Sequence, residues 1–100
     1  MFKPLNLDAC LDTLRRTMPS LTERYRVRSL GIFGSYARRE EREDSDLDLL
    51  VTFDDPPGLL KFVEMENYLS DLLGVKVDLV MRDTLKPYIG EQILKEVIAV

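Results

Sequence analysis

Apolar residues recur along this chain in two rhythms, one helical and one extended. Leu7, Leu11, Leu14 and Met18 are spaced by four, three and four, which predicts an amphipathic helix over residues 6–18. Asn6 is placed to cap it, Asp8 suits its first turn, and Pro19 is expected to end it. Ser20-Leu21-Thr22-Glu23 has the form of a capping box and predicts a short second helical piece to about Arg24. Residues 27–33 hold Val27, Leu30, Ile32 and Phe33 and read as a first strand. Residues 35–39 suit a short helix, residues 40–44 a charge-dense loop, and Ser45 a turn into the next strand. That second strand spans 46–53, with Leu47, Leu49 and Val51 on one side and Asp46 and Asp48 on the other, and is expected at the sheet's centre. Asp54-Asp55-Pro56-Pro57-Gly58 breaks it.

The longest helix is predicted over 58–73. Leu59, Phe62, Met65, Leu69, Leu72 and Leu73 form its core stripe, Glu64, Glu66 and Asp71 its solvent face, and Gly74 its terminating residue. Residues 75–81 read as a third strand, with Val77 and Leu79 facing one way and Lys76, Asp78 and Val80 the other. Asp83 or Thr84 is expected to cap a final helix with Pro87 in its first turn, packing Leu85, Ile89, Ile93 and Val97 on the sheet. The apolar end, Val97-Ile98-Ala99-Val100, suits a short strand or an interface. These elements predict an α/β fold: a small mixed sheet of about three strands flanked by four or five helices, mainly on one face.

A chain of 100 residues has room for one domain, here 1–100, with one modest core. Its 45% hydrophobic and 32% charged content is that of a soluble globular protein. No run approaches the roughly 20 apolar residues of a membrane span, and Met1-Phe2-Lys3-Pro4 lacks the apolar core of a signal peptide. The single cysteine, Cys10, excludes an internal disulfide and fits a reducing, cytoplasmic setting. On its helix it reads as a small buried residue rather than a nucleophile. The absence of histidine removes a Ser-His-Asp triad and the usual Cys/His zinc site. Carboxylates, lysines, tyrosines and arginines remain for chemistry, which favours a carboxylate-held metal. A net charge of −4 argues against nucleic acid as partner. Arg15, Arg16, Arg24, Arg26 and Arg28 nonetheless face only Glu23 within residues 15–28, as a solvated surface or as a contact for triphosphate or an acidic partner.

Two features concentrate the chemistry. Gly34 and Ser35 follow the apolar run 30–33 and open a turn, a corner that presents backbone N–H groups to an anion. Gly34 allows close approach, the Ser35 hydroxyl adds a hydrogen bond, and Arg38 is placed to reach a phosphate oxygen or to pair with Glu41 or Glu43. Beyond the ten residues that follow Ser35, Asp46 and Asp48 project from one strand face about 7 Å apart at Cα. Carboxylates so close repel unless a cation lies between them, and Mg²⁺ takes such hard oxygen ligands together with substrate phosphates. Aspartate is depleted in strand interiors, so Asp78 also asks for a reason. If the third strand neighbours the second, Asp78 shares the face of Asp46 and Asp48.

Gly34-Ser35, ten residues, then Asp46-Leu47-Asp48 resembles the signature of the DNA polymerase beta-type nucleotidyltransferase superfamily. The wording Phe33-Gly34-Ser35-Tyr36-Ala37-Arg38, then Ser45-Asp46-Leu47-Asp48-Leu49-Leu50-Val51, is similar to its minimal nucleotidyltransferase (MNT) branch, across nearly the whole chain. The resemblance implies a nucleotidyltransferase fold with Asp46, Asp48 and Asp78 as catalytic and metal-holding residues, Asp78 also accepting the proton of an attacking hydroxyl. It implies Gly34, Ser35 and Arg38 at the phosphates of ATP, with one or two Mg²⁺ ions. It further implies an antitoxin that adenylylates a hydroxyl, on tyrosine, of a HEPN-domain ribonuclease toxin. One departure is visible: Arg39 stands where the family often has glycine, which predicts a slightly different loop. Two other readings compete: neutralisation of the toxin by binding alone, and a nucleic-acid-binding regulator using Arg15 to Arg28.

Overall fold

The computed structural model describes residues 5–100; residues 1–4, whose composition was read above for a leader, lie outside the described residues. In chain order the elements are α1 (Leu7–Tyr25), β1 (Val27–Phe33), β2 (Leu47–Phe53), α2 (Leu59–Leu73), β3 (Val77–Met81), a 3-10 turn at Arg82–Thr84, α3 (Pro87–Glu96) and β4 (Ile98–Ala99). The strands lie in the order β3-β2-β1-β4, with β2 parallel to β3 and β1 antiparallel to both its neighbours. The sheet is therefore mixed, as expected, with β2 and β1 at its centre. It has four strands rather than three, because the apolar end pairs with β1: Ile98 opposite Ile32, Ala99 opposite Gly31, and the Val100 N–H donating to Leu30 O at 2.9 Å.

Among the described residues, three α-helices replace the four or five expected, and Pro19 explains part of the difference. α1 runs unbroken through it to Tyr25. Proline inside a helix costs about 3 kcal/mol. Leu21 and Tyr25 beyond it are 0% and 2% exposed, and burying such side chains returns about 1.5–3 kcal/mol each. The buried row Leu7, Cys10, Leu14, Leu21 and Tyr25 thus continues past the break the proline would otherwise impose. The Asn6 cap is made, with the Ala9 N–H donating to Asn6 Oδ1 at 2.9 Å.

One sheet face forms the core. Leu30 and Ile32 of β1, Leu47, Leu49 and Val51 of β2, and Val77 and Leu79 of β3 pack there with α1 and α2. The inward row of α2 is Met65, Leu69 and Leu73, with Phe62 and Tyr68 partly covered. Leu59 and Leu72, expected in the core, are 77% and 42% exposed. At 100° per residue they fall on the two shoulders of the face centred on Leu69. Glu66, expected to face solvent, instead turns its carboxylate to the outer edge of β3, where it accepts the Leu79 N–H at 2.9 Å. Ser70 Oγ accepts the Val77 N–H at 3.0 Å and donates to Glu66 O at 2.9 Å. Two N–H groups of this edge are thus satisfied by its own helix, which leaves less of it open to a foreign strand.

α3 begins at Pro87 without a side-chain cap; Thr84, read as a candidate cap, bonds Met81 O at 2.8 Å inside the 3-10 turn, and Asp83 lies within that same turn. No residue of α3 is fully buried, and Ile89, expected against the sheet, is half exposed. The chain is drawn back at Val97: a Cβ added to Gly31 would lie 2.5 Å from Val97 Cγ2. Gly31 pairs with Leu50, on the face away from α1 and α2, so the end of α3 lies over that second face.

Candidate functional site

The second face carries the acids. Parallel pairing of β2 with β3 sets Asp48 directly opposite Asp78, at the roughly 4.8 Å spacing of neighbouring strands. Asp46 precedes Asp48 by two residues and its carboxylate stands 3.9 Å from Lys76 Nζ. Val77, Leu79, Leu47 and Leu49 point the other way, which is why the aspartates are held at the surface of a rigid sheet. Asp48 is half-buried, while Asp46 and Asp78 are exposed. Burial first, then the charges of Asp78 and Asp46, push the Asp48 carboxyl up to about 6; Arg38 opposes this and Glu96 adds to it.

With the side chains so turned, no three acids among the described residues converge on a single metal position. The donor set nevertheless suits a hard divalent cation: three carboxylates, all oxygen, one destabilised in its ionised form by the other two. A cation relieves that repulsion, as no neighbouring side chain does fully.

The turn at residues 34–40 is built around Asp48. Gly34 has φ +75, and a Cβ on it would lie 2.1 Å from Asp48 Oδ2. Only a glycine lets the chain pass beneath that carboxylate in this conformation. The segment is a single closed turn, not the short helix expected. The Arg38 N–H donates to Gly34 O at 3.2 Å, the Arg39 N–H to Tyr36 O at 3.2 Å, and the Glu40 N–H to Ser35 O at 2.9 Å. The last two bonds, with residue 39 left-handed, make a Schellman closure that stops the helix after one turn. Arg39 has φ 58, so it adopts the conformation a glycine would supply. The departure from the family pattern leaves the turn intact and adds a fork to Asp8 of α1, at 3.0 and 3.3 Å. Tyr36, not singled out from the sequence, is 3% exposed and anchors the turn in the core near Cys10. Burial pushes the Cys10 thiol up to about 12, in keeping with an inert core residue.

Among the described residues, the N–H groups of Ser35, Tyr36 and Ala37 and the Ser35 hydroxyl take no part in the turn's hydrogen bonds. Three successive free donors at the start of a helical turn form a seat for an anion. The Gly34 N–H is different: it donates to Glu96 Oε1 at 2.9 Å. The other oxygen of Glu96 accepts from Arg38 Nη1 at 3.0 Å, and Arg38 Nε reaches Glu40 at 3.3 Å. Arg38 thus pairs with Glu96 and Glu40, not with Glu41 or Glu43. Glu96 went unnoticed in the sequence; its one signal is that it is the last charge before the apolar end.

The arginines of residues 15–28 do not converge on this turn. Arg16 pairs with Asp12, Arg28 Nε with Asp54 at 2.7 Å, and Arg24 stacks over Tyr25 and Tyr68 at 5.1 and 4.9 Å. A cavity of about 560 Å³ lies beside Tyr36, between residues including Glu41, Glu43 and Val75, and includes none of the three aspartates. The acids occupy an open shelf instead. No helix among the described residues is long and apolar enough to cross a membrane.

Known proteins are similar to this chain in sequence and fold. The family model described as a nucleotidyltransferase domain matches residues 14–100. The protein adenylyltransferase MntA of Thermococcus cleftensis is 49% identical over 96 residues, covering 96% of this chain and 97% of that protein. A solved chain carrying the provisional description of a minimal nucleotidyltransferase superposes with TM-score 0.82 at 40% identity, over 99% of this chain and 100% of its own. More distant likenesses, which speak to fold alone, include a toxin–antitoxin structure with AMP-PNP (TM-score 0.70, 23% identity, 95% of this chain and 72% of that one). Another is a tri-AMPylated HEPN toxin of Shewanella oneidensis in complex with MNT antitoxin (TM-score 0.67, 19% identity, 90% and 70%). The matched span holds the Gly34-Ser35 turn and all three aspartates, and on that footing this chain belongs to the nucleotidyltransferase domain family.

Proposed function

We propose that this chain is a protein adenylyltransferase that moves AMP from ATP to a hydroxyl, on tyrosine, of a HEPN ribonuclease toxin, and so acts as its antitoxin. The observation that carries the reading is the register of β2 and β3, which sets Asp48 and Asp78 side by side, with Asp46 next along, above the Gly34 turn. The name of the Thermococcus relative and the complexes with HEPN toxin support it.

The residues divide the work by position. The free N–H groups of Ser35, Tyr36 and Ala37 and the Ser35 hydroxyl receive the β- and γ-phosphates. Gly34 shapes the turn that offers them, and Arg38 adds positive charge at the rim. Asp46, Asp48 and Asp78 hold Mg²⁺, one ion or two; bound there, the metal neutralises the phosphates and polarises the α-phosphorus. The acceptor oxygen attacks the α-phosphorus in line, the bond from that phosphorus to the bridging oxygen breaks, and pyrophosphate leaves. Asp78, exposed at the shelf's rim, takes the proton of the acceptor hydroxyl. The chain works in the cytoplasm, where ATP and a ribonuclease toxin would meet it.

Incubation of the protein with α-labelled ATP, Mg²⁺ and the HEPN partner tests this. Label is expected on the partner's tyrosine and is lost in Asp46→Asn. Complete neutralisation of the toxin by Asp46→Asn without label would instead favour an antitoxin that acts by binding alone.

A further inference from the structure

Glu96 is joined to the phosphate-binding turn by both of its oxygens, and neither the acids nor the free N–H groups of that turn require it to be there. One oxygen accepts the Gly34 N–H at 2.9 Å and the other Arg38 Nη1 at 3.0 Å. Its backbone is fixed on either side. α3 ends at Glu96, Val97 presses against Gly31, and Ile98 pairs with Ile32 in β1. The carboxylate is therefore delivered to the turn by the sheet itself, across 62 residues of sequence. Glu96 leaves the N–H groups of Ser35, Tyr36 and Ala37 untouched, and it leaves Arg38 Nη2 without a partner among the described residues.

We infer that Glu96 is a positioning residue for nucleotide binding: it pins the Gly34 peptide and the Arg38 guanidinium so that one free nitrogen of Arg38 meets the triphosphate seated on the turn. The inference rests on the proposed ATP site. It assigns Glu96 no contact with the nucleotide. Charge-assisted bonds such as these are short and directional, so they fix a guanidinium plane as well as hold its charge. An arginine left to its own rotamers would lose freedom on meeting the phosphates, and that loss weakens binding.

Titration calorimetry of MgATP into the full chain tests it, with Glu96→Gln, Glu96→Ala, Arg38→Gln and the double variant Glu96→Ala/Arg38→Gln. Glu96→Ala is expected to weaken MgATP about tenfold. Arg38→Gln should do the same, and the double variant should be no more than about twofold weaker than Arg38→Gln alone, since the two act as one unit. Glu96→Gln, which preserves size and one acceptor, should fall between wild type and Glu96→Ala and keeps the test alive if the alanine variant does not fold. Without nucleotide, the Gly34 amide should exchange with solvent about tenfold faster in Glu96→Ala.

Tighter MgATP binding by Glu96→Gln would overturn the inference, because the carboxylate would then be an anion that has to leave. Unchanged binding, losses that multiply with those of Arg38→Gln, or an unprotected Gly34 amide in wild type would overturn it as well. A wild-type chain that neither binds MgATP nor transfers label defeats the functional reading and this inference with it. A wild type that binds, beside Glu96 variants that bind equally well, defeats the inference alone.

Discussion

Two glycines in left-handed conformation allow a clean measurement of what the site asks of its backbone. Gly34 has φ +75 and Gly74 has φ +71, so replacing either by alanine carries the same conformational penalty, about 1 kcal/mol. Their surroundings differ. Nothing lies within 4 Å of a Cβ built on Gly74, whereas one on Gly34 falls 2.1 Å from Asp48 Oδ2. Normal contact needs about 3.2 Å or more, so in Gly34→Ala the Asp48 carboxylate must swing away by about 1 Å. A half-buried side chain yields that far at modest cost to stability. A displacement of that size at a reacting centre costs about 100-fold in rate. Gly74→Ala should therefore lower Tm by about 4–8 °C and leave transfer intact. Gly34→Ala should lower Tm by that amount or somewhat more and reduce AMP transfer by about 100-fold. Thermal melts and label transfer on the same three preparations read both. If Gly34→Ala matched Gly74→Ala in activity, the close packing of this turn beneath Asp48 would have no functional meaning and the site as built here would be wrong.

Asp48 predicts a pH signature. Its folded carboxyl holds a proton up to about 6 against an ordinary 3.8, so between those values the folded chain binds more protons than the unfolded one and loses stability as pH rises. Relative to Asp48→Asn, the metal-free wild type should thus fall by about 1–2 kcal/mol from about pH 4 to pH 7 after allowing for solvent screening, levelling off above; a flat difference refutes the shift. Added Mg²⁺ at pH 7.5 should raise the Tm of wild type and not that of Asp48→Asn, as differential scanning fluorimetry would show. Glu66→Ala strips the Leu79 N–H of its acceptor and should destabilise by about 1.5–3 kcal/mol in urea melts; a loss under 0.5 kcal/mol would mean water replaces it freely. Arg39→Gly relieves the φ 58 strain while removing an exposed ion pair, so Tm should hold or rise; a fall of more than about 5 °C would show that the fork to Asp8 holds the turn in place.

The strands were legible because alternation of period two is local: Leu47, Leu49 and Val51 against Asp46 and Asp48 needs no knowledge of the partner strand. The shared face of Asp48 and Asp78 was legible only on the condition that their strands be neighbours, a matter of topology. Pro19 misled because the rule for proline is local, whereas the burial of Leu21 and Tyr25 that overrides it is tertiary. Leu59 and Leu72 misled because six apolar residues on one helix exceed the width of sheet available to cover them. Glu66 and Glu96 were out of reach for a further reason. A carboxylate that accepts a distant backbone N–H looks, in sequence, like any solvated acid, and both partners here are set by the way helices return to the sheet.

The pairing of Asp48 with Asp78 also guards the topology. Parallel strands slide easily in principle, since their hydrogen bonds repeat evenly along the ladder. A slip of β3 by a single residue would drive a carboxylate into the oily layer beneath α2 and turn Val77, Leu79 and Met81 out to water. The acids that burden this protein with mutual repulsion therefore also penalise its nearest misfolded competitor, and neutralising Asp78 would loosen the alignment of β3 even where no nucleotide is ever bound.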